Sequence, residues 1–357
     1  MRTVYLIRHG LPDIPDGRCM CLGSTDLPLG IVGRLQAALA GAALSSAGLS
    51  AVYCSRLSRS RQTAEAIGSP IALPGLEEMD AGAWDGLFFE EIRARWPELY
   101  ELRGRDFSVS PPGAERREDG LARFSAALNT ALAGSEGDIA VVAHASVMQT
   151  MLCAVQGLPL EAARGIALPY GSITRLAYEN GGFSVVEIGV SPHPKLNKAL
   201  CESLLSAAGT PEAVSAHCAA VAETALGLAR ALSAAGVALD EPRIYAAAML
   251  HDIARTAEHH AETGAGWLAA IGYPAVADII RQHHDPDDPA RTDEAAVVFV
   301  ADKLVLGTAR VGLCERFEAS RKKCLSAEAV DAYNRRYRAV MTAAENINST
   351  CRKDVVK

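Results

Sequence analysis

The hydrophobic pattern of the chain changes near residue 190. Before that point, short unbroken apolar runs alternate with helical periods. Residues 4–7, 49–54 and 139–143 read as strands, because consecutive apolar positions bounded by glycine or polar turns suit parallel strands covered on both faces. Between them, an alanine-rich stretch to about residue 47 predicts a helix that Gly48 can end. A second helix opens within residues 55–64, where Ser55 or Ser58 could cap it. Residues 90–103, broken at Pro97, and residues 115–133 read as amphipathic helices, and residues 148–155 as another. Residues 173–178 and 183–188 predict a hairpin turned by Asn180, Gly181 and Gly182. Beyond the linker at residues 191–197, with Pro192 and Pro194, the periods are helical throughout and no strand is expected. Helix starts stand at Thr210 with Pro211, at Asp240 with Pro242, and at Ser326. The pattern predicts an α/β domain over residues 1–190, with a mostly parallel sheet flanked by helices. An all-α domain over residues 198–357 follows.

Composition narrows the function. At 357 residues, with 49% hydrophobic and 22% charged positions, two packed domains are expected and disorder is not. A net charge of -7 argues against a broad nucleic-acid surface. Nine cysteines without a C-x-x-C pair fit free thiols in a reduced, cytosolic setting. No apolar run is long enough for a membrane span, and a cleaved leader would remove Arg8 and His9.

The chemistry gathers at strand ends. Arg8, His9 and Gly10 follow the first apolar run, and catalytic groups in open α/β sheets sit at the carboxyl ends of strands. His144 repeats this design after residues 139–143. Arg56, Arg59 and Arg61 lie at a strand-to-helix junction, where cationic forks beside free helix N–H groups bind anions. The loop at residues 76–86 carries Glu77, Glu78, Asp80 and Asp85 around Trp84, and one of these carboxyls could serve as a general acid. In the helical half stand His217, His251, His259, His260, His283 and His284, six of the nine histidines. Asp252 follows His251, and Asp302 sits in an apolar run where an unpaired carboxylate is expensive. A metal ion relieves that cost, and histidine with carboxylate suits Fe, Mn or Zn in a hydrolytic site.

Residues 1–190 resemble the histidine phosphatase superfamily, the phosphoglycerate-mutase-like fold. The motifs, in order, are Leu6-Ile7-Arg8-His9-Gly10, Asp26-Leu27-Pro28-Leu29 to Gly33, Ser55-x-Leu57-x-Arg59-Ser60-x-Gln62-Thr63-Ala64, Glu78 before Gly82-x-Trp84-x-Gly86, and Val141-Val142-Ala143-His144. The resemblance implies that His9 is the nucleophile that becomes phosphohistidine and that Glu78 donates the proton. Arg8, Arg59 and a protonated His144 would bind the phosphoryl oxygens, with no metal in this half. Gly30, Ala145 and Ser146 depart from the usual motif, and residues 18–29 look similar to α-ribazole phosphatases.

Residues 196–320 resemble HD-domain metal-dependent phosphohydrolases, through His217, His251-Asp252 and Asp302. His260 and His283 fit the subset with two metal ions, similar to bacterial HD hydrolases that cleave diadenosine tetraphosphate. His259 and His284 are the rival ligands. Arg255, Asp285 and Pro286 depart from that subset, and residues 301–317 look like HD domains joined to molybdenum-cofactor nucleotidyltransferase-like modules. The combined expectation is a cytoplasmic bifunctional phosphohydrolase acting on phosphorylated small molecules or nucleotides, with no nucleic-acid or membrane partner. A phosphomutase and a phosphate sensor without turnover are the alternatives. Hydrolysis at the second site could leave a monoester for the first.

Overall fold

Strand β1 (Arg2–Arg8) takes an inner place in a six-stranded sheet of the computed structural model, which describes residues 1–322 and 324–356. It is followed by α1 (Ile31–Leu44), β2 (Ala51–Cys54), α2 (Ser58–Glu65), β3 (Pro70–Ala72), α3 (Phe89–Arg95), α4 (Pro97–Arg105) and α5 (Arg117–Ala133). β4 (Ile139–Ala143), α6 (Ala145–Gln156), β5 (Ile173–Glu179) and β6 (Gly182–Val190) complete the first unit, which ends at Pro194.

The sheet order is β3-β2-β4-β1-β5-β6. The first four strands are parallel, and β5 runs antiparallel to both neighbours. All five residues of β4 are buried, as an unbroken apolar run requires of a strand covered on both faces. Alternation in β1 sends Val4 and Leu6 to one face, packed with Phe124 and Leu128 of α5 and Met148 and Leu152 of α6. Ile7 faces the other way, with Ala40 and Leu44 of α1 and Ala64 of α2. Each large apolar side chain so buried contributes about 1.5–3 kcal/mol.

The second unit begins at Lys195. It contains α7 (Lys198–Ala208), α8 (Glu212–Ala234), α9 (Glu241–Leu250), α10 (His260–Ala270), α11 (Pro274–Arg281) and α12 (Glu294–Lys303). A two-residue hairpin, β7 (Val305–Leu306) and β8 (Ala309–Arg310), precedes α13 (Leu313–Arg321) and α14 (Ala327–Cys351). α9 and α12 carry the most apolar stretches, and residues 246–250 and 295–303 are buried without exception. Both helices are capped by an aspartate, Asp240 accepting from the Arg243 N–H and Asp293 from the Ala296 N–H.

Several local expectations are corrected. Neither Ser55 nor Ser58 caps α2; Asp26, distant in sequence, accepts from the Ser58 N–H and hydroxyl at 2.7 and 2.8 Å. Thr210 does not cap α8, because its hydroxyl donates to the Ile253 carbonyl. α1 stops at Leu44 rather than near residue 47, since Ser45 donates both its N–H and its hydroxyl back to the Ala42 carbonyl. β3 and the β7–β8 hairpin were too short to show a period. The Asn180-Gly181 turn is as expected, with φ of 52° and 82°. All nine cysteines are free, and among the described residues no helix is long and apolar enough to cross a membrane.

The loop that leaves β1 is seated by two glycines. A Cβ on Gly10 would fall 2.3 Å from the Gly33 carbonyl oxygen, and one on Gly33 would fall 2.0 Å from that of Leu11. Both obstacles are backbone. Gly33→Ala should therefore destabilise the first unit by about 1–3 kcal/mol, the usual cost of overpacking, measured as a lowered urea midpoint; an unchanged midpoint would show that the contact is slack.

Candidate active sites

Parallel pairing builds the first site. Arg8 is in register with Ala143, so the residues that follow, His9 and His144, stand side by side with ring centroids 4.9 Å apart. β2 delivers Ser55 to the same edge, and its hydroxyl lies 2.7 Å from His144 Nε2. His9 Nδ1 lies 2.7 Å from the Gly10 carbonyl oxygen, which can only accept. The proton is therefore on Nδ1, and Nε2 carries the lone pair.

Two arginines stand beside this pair. Arg59 is fully buried and donates to the Thr25 and Gly23 carbonyls at 2.8 and 2.9 Å. Asp85 fixes the same loop by accepting from the N–H groups of Gly23 and Thr25 and the hydroxyls of Ser24 and Thr25. Arg8 donates to the Leu168 carbonyl and lies over the Tyr170 ring, 3.6 Å from its centroid. Nε of each arginine is buried without a partner. Such donors suit an anion.

Glu78 sits at the start of α6. Its carboxylate accepts from the N–H groups of Ser146 and Val147, each at 3.1 Å, at the positive end of the helix dipole. Arg123 donates to the carbonyls of Gly75, Glu77 and Glu78 while pairing with both oxygens of Glu115, which holds the loop in place. The other carboxylates of the loop are engaged elsewhere: Glu77 pairs with Arg56, and Asp80 takes the Gly82 N–H.

The expected charge on His144 is corrected. Burial first, then the neighbouring His9 ring and the charges of Arg59 and Arg8, push its affinity for protons well below the ordinary value. His9 is lowered in the same way by burial and then Arg59. Both imidazoles are neutral near pH 7.

The second site lies within the helical unit. His217, His251 and Asp252 bring one ligand atom each to within 4.8 Å of one another, as do Asp252, His260, His283 and His284. Asp252 belongs to both groups. Asp302 joins the first, 3.1 Å from His217 Nε2 and 3.6 Å from His251 Nε2. His217, His251 and His283 donate Nδ1–H to the carbonyls of Gly307, Ala248 and Ile280, which in the neutral rings a metal would bind leaves each Nε2 with its lone pair. The Nε2 atoms of His251 and His283 and Oδ1 of Asp252 are buried without hydrogen-bond partners. Orphaned lone pairs that converge in this way fit a cation, and nitrogen with carboxylate oxygen fits Fe, Mn or Zn. Burial alone would raise Asp302, but the charge of Lys303 and the neighbouring imidazoles of His217 and His251 hold it well below the carboxylate range.

The rival histidines separate. His259 is exposed, with φ of 49°, and only His260 turns toward Asp252, 3.2 Å away. His284 Nδ1 accepts from Lys303 Nζ at 3.2 Å, so its Nε2–H points at His260 Nε2, 2.9 Å away. His283 is the one of that pair whose lone pair is free.

Comparison with known proteins places both units in families. The family model described as the histidine phosphatase superfamily (branch 1) matches residues 4–191, more than half of the chain. The chain belongs to the histidine phosphatase superfamily. An HD domain matches residues 214–306. Relatives of this superfamily member include the bifunctional protein Rv2228c of Mycobacterium tuberculosis, 34% identical over 46% of this chain and 45% of that protein. The chain thus spans less than half the length of that relative. A probable phosphoglycerate mutase GpmB of Proteus mirabilis is 32% identical over 50% of this chain and 86% of its own length. Among solved structures, mycobacterial hydrolase 2 shares the fold with a TM-score of 0.50 and 24% identity, over 58% of this chain and 97% of its own.

For this histidine phosphatase fold, the structure brings together Arg8, His9, Arg59, Glu78 and His144 at one edge of the sheet, and His217, His251, Asp252, His260, His283 and Asp302 in the helical unit. Sequence reasoning did not assign Ser55, Tyr170, Arg123 or Lys303. Ser55 had a signal, since it follows its strand as His9 and His144 follow theirs; Tyr170 and Arg123 had none.

The neutral histidines carry a sign for stability. In the unfolded chain each takes up a proton below a pH of about 6.5, whereas the fold keeps both neutral. Their contribution is complete above that pH and is lost as pH falls below it. Urea denaturation at pH 8 and pH 5 should show the stability difference between wild type and His144→Gln shrinking on acidification; a difference that grows would reverse the assignment.

Proposed function

We propose that the chain is a bifunctional phosphohydrolase, with a phosphomonoesterase in the first unit and a metal-dependent phosphohydrolase in the second. The observation that carries the first half is the His9 Nδ1 bond to the Gly10 carbonyl, because it leaves Nε2 as a nucleophile between two arginines. Nε2 attacks phosphorus, the P–O ester bond breaks, and its electron pair leaves with the alcohol oxygen, which takes a proton from Glu78. Water then attacks phosphorus, the P–N bond breaks, and Glu78 recovers the proton. Arg8, Arg59 and neutral His144 face the phosphoryl oxygens, where charge spreads in the transition state. A phosphoryl dianion would also raise the proton affinity of His144.

In the second unit, Asp252, which belongs to both ligand groups, would help to hold two ions. His217, His251 and Asp302 would hold one, and His260 and His283 the other. When bound, such ions supply Lewis acidity and a nucleophilic water for phosphoester cleavage. A cavity of about 820 Å³ adjoins His260 and His284; Arg255, Arg281 and Arg336 line it together with Glu262 and Asp285, and its size suits a nucleotide-type phosphoester or phosphoanhydride.

His9→Ala should abolish phosphomonoester hydrolysis in a folded protein, and chelator should leave that activity intact. Labelled substrate should place acid-labile phosphate on His9; label on another residue overturns the assignment. Glu78→Gln should slow substrates with poor leaving groups most, about 10²–10⁴-fold. Return of the phosphoryl group to a second hydroxyl, instead of water, would mark a mutase.

Elemental analysis should find about two transition-metal ions per chain. Asp252→Ala should empty both positions, and the double variant of His260 and His283 should lose one ion. Full metal content in that double variant would reduce the site to a single ion at His217, His251, Asp252 and Asp302.

A further inference from the structure

A second cavity, of about 240 Å³, lies in the first unit and reaches Ser146 in the first turn of α6. Met79, Trp84, Phe89 and Phe107 form its apolar wall, and Ser146 stands at its margin. The Ser146 N–H donates to Glu78, so the cavity adjoins the side chain that, in its acid form, would protonate the departing oxygen. Whatever is attached to that oxygen has this space to enter.

Arg103 and Arg117 also line the cavity. Their guanidinium carbons lie over the Phe107 ring, 4.6 and 4.2 Å from its centroid, and Arg103 lies 5.9 Å from that of Trp84. Arg103 donates to the Val109 carbonyl and Arg117 to the Thr150 hydroxyl at 2.8 Å, so each has N–H groups to spare. Among the described residues, neither guanidinium forms an ion pair. The carboxylates on the wall are engaged: Glu115 is held by Arg123 through both oxygens, and Asp80 takes the Gly82 N–H. Burial holds both arginines below their ordinary value, and their mutual repulsion adds to this for Arg117, as Arg164 does for Arg103. Stacking on one aromatic ring does not compensate two like charges in a half-buried cleft, whereas an anion would.

We propose that this cavity receives the leaving group of the substrate and that Arg103 and Arg117 are specificity-determining residues for a second anionic group on it, carried on a flat or apolar body. The inference rests on the roles given above to His9 and Glu78. The substrate class it names is a phosphomonoester whose alcohol also bears a carboxylate or a second phosphate.

The test compares, on the full chain, kcat/KM for para-carboxyphenyl phosphate, para-phosphonooxyphenyl phosphate and the neutral para-carbamoylphenyl phosphate. Wild type should favour the anionic substrates over the neutral one by tenfold or more, mainly through KM, and less so at high salt. The ranking of the two anionic substrates distinguishes carboxylate from phosphate. The double variant Arg103→Gln, Arg117→Gln should bring the ratio to about one, while the corresponding Lys variants should keep most of it because they retain the charge. Equal wild-type rates for neutral and anionic substrates would overturn the proposal alone and require no variant. Preference that survives in the folded Gln double variant would overturn it too. Absence of turnover on all three would instead remove the phosphohistidine reading, and this inference with it.

Discussion

The bond from His9 Nδ1 to the Gly10 carbonyl decides which nitrogen of the imidazole can react, and much of the first unit serves to hold that bond in place. Gly10 is pinned against the Gly33 backbone, its N–H donates to the Thr63 hydroxyl, and Thr63 in turn donates to the Arg59 carbonyl. The positions of His9 and of the buried Arg59 are thus linked through one side chain. The His9 N–H also donates to the Ala143 carbonyl, which ties it to the strand that delivers His144. An imidazole so restrained would be pre-organised for the attack proposed for it, with little reorganisation left for the reaction itself.

The helical unit uses the same device on different chemistry. His217, His251 and His283 each give Nδ1–H to a backbone carbonyl, so that the Nε2 atoms converge on Asp252 and Asp302. In the sheet, the restrained nitrogen faces arginines and suits phosphorus; among the helices, it faces carboxylates and suits a cation. What distinguishes the two sites is the sign of the neighbouring charge. Burial makes that sign matter, because charges lose their water and must be answered by a partner at short range.

Much of this was legible along the chain. Unbroken apolar runs end at His9 and His144, a periodic helical half carries His251-Asp252 and Asp302, and the Asn180-Gly181 turn announces its hairpin. Such features are local, since strand burial, helix period and turn dihedrals each depend on a few adjacent residues. Caps were read less well where a distant residue intervened. Asp26 captures the start of α2, and Ile253 takes the Thr210 hydroxyl that would have capped α8.

By itself, then, the sequence determined the two architectures, the superfamily of the first and the residue types available to each site. Only the tertiary structure decided which atoms face one another. It turned His260 rather than the exposed His259 toward Asp252, and set Lys303 against Nδ1 of His284. It set His144 neutral by burying it among cations, and placed Arg103 and Arg117 over one phenylalanine without a carboxylate partner among the described residues. These outcomes depend on long-range proximity and desolvation, which no local pattern encodes. The identity of a residue is written in the chain, but its tautomer, charge and partner are set by what the fold packs against it.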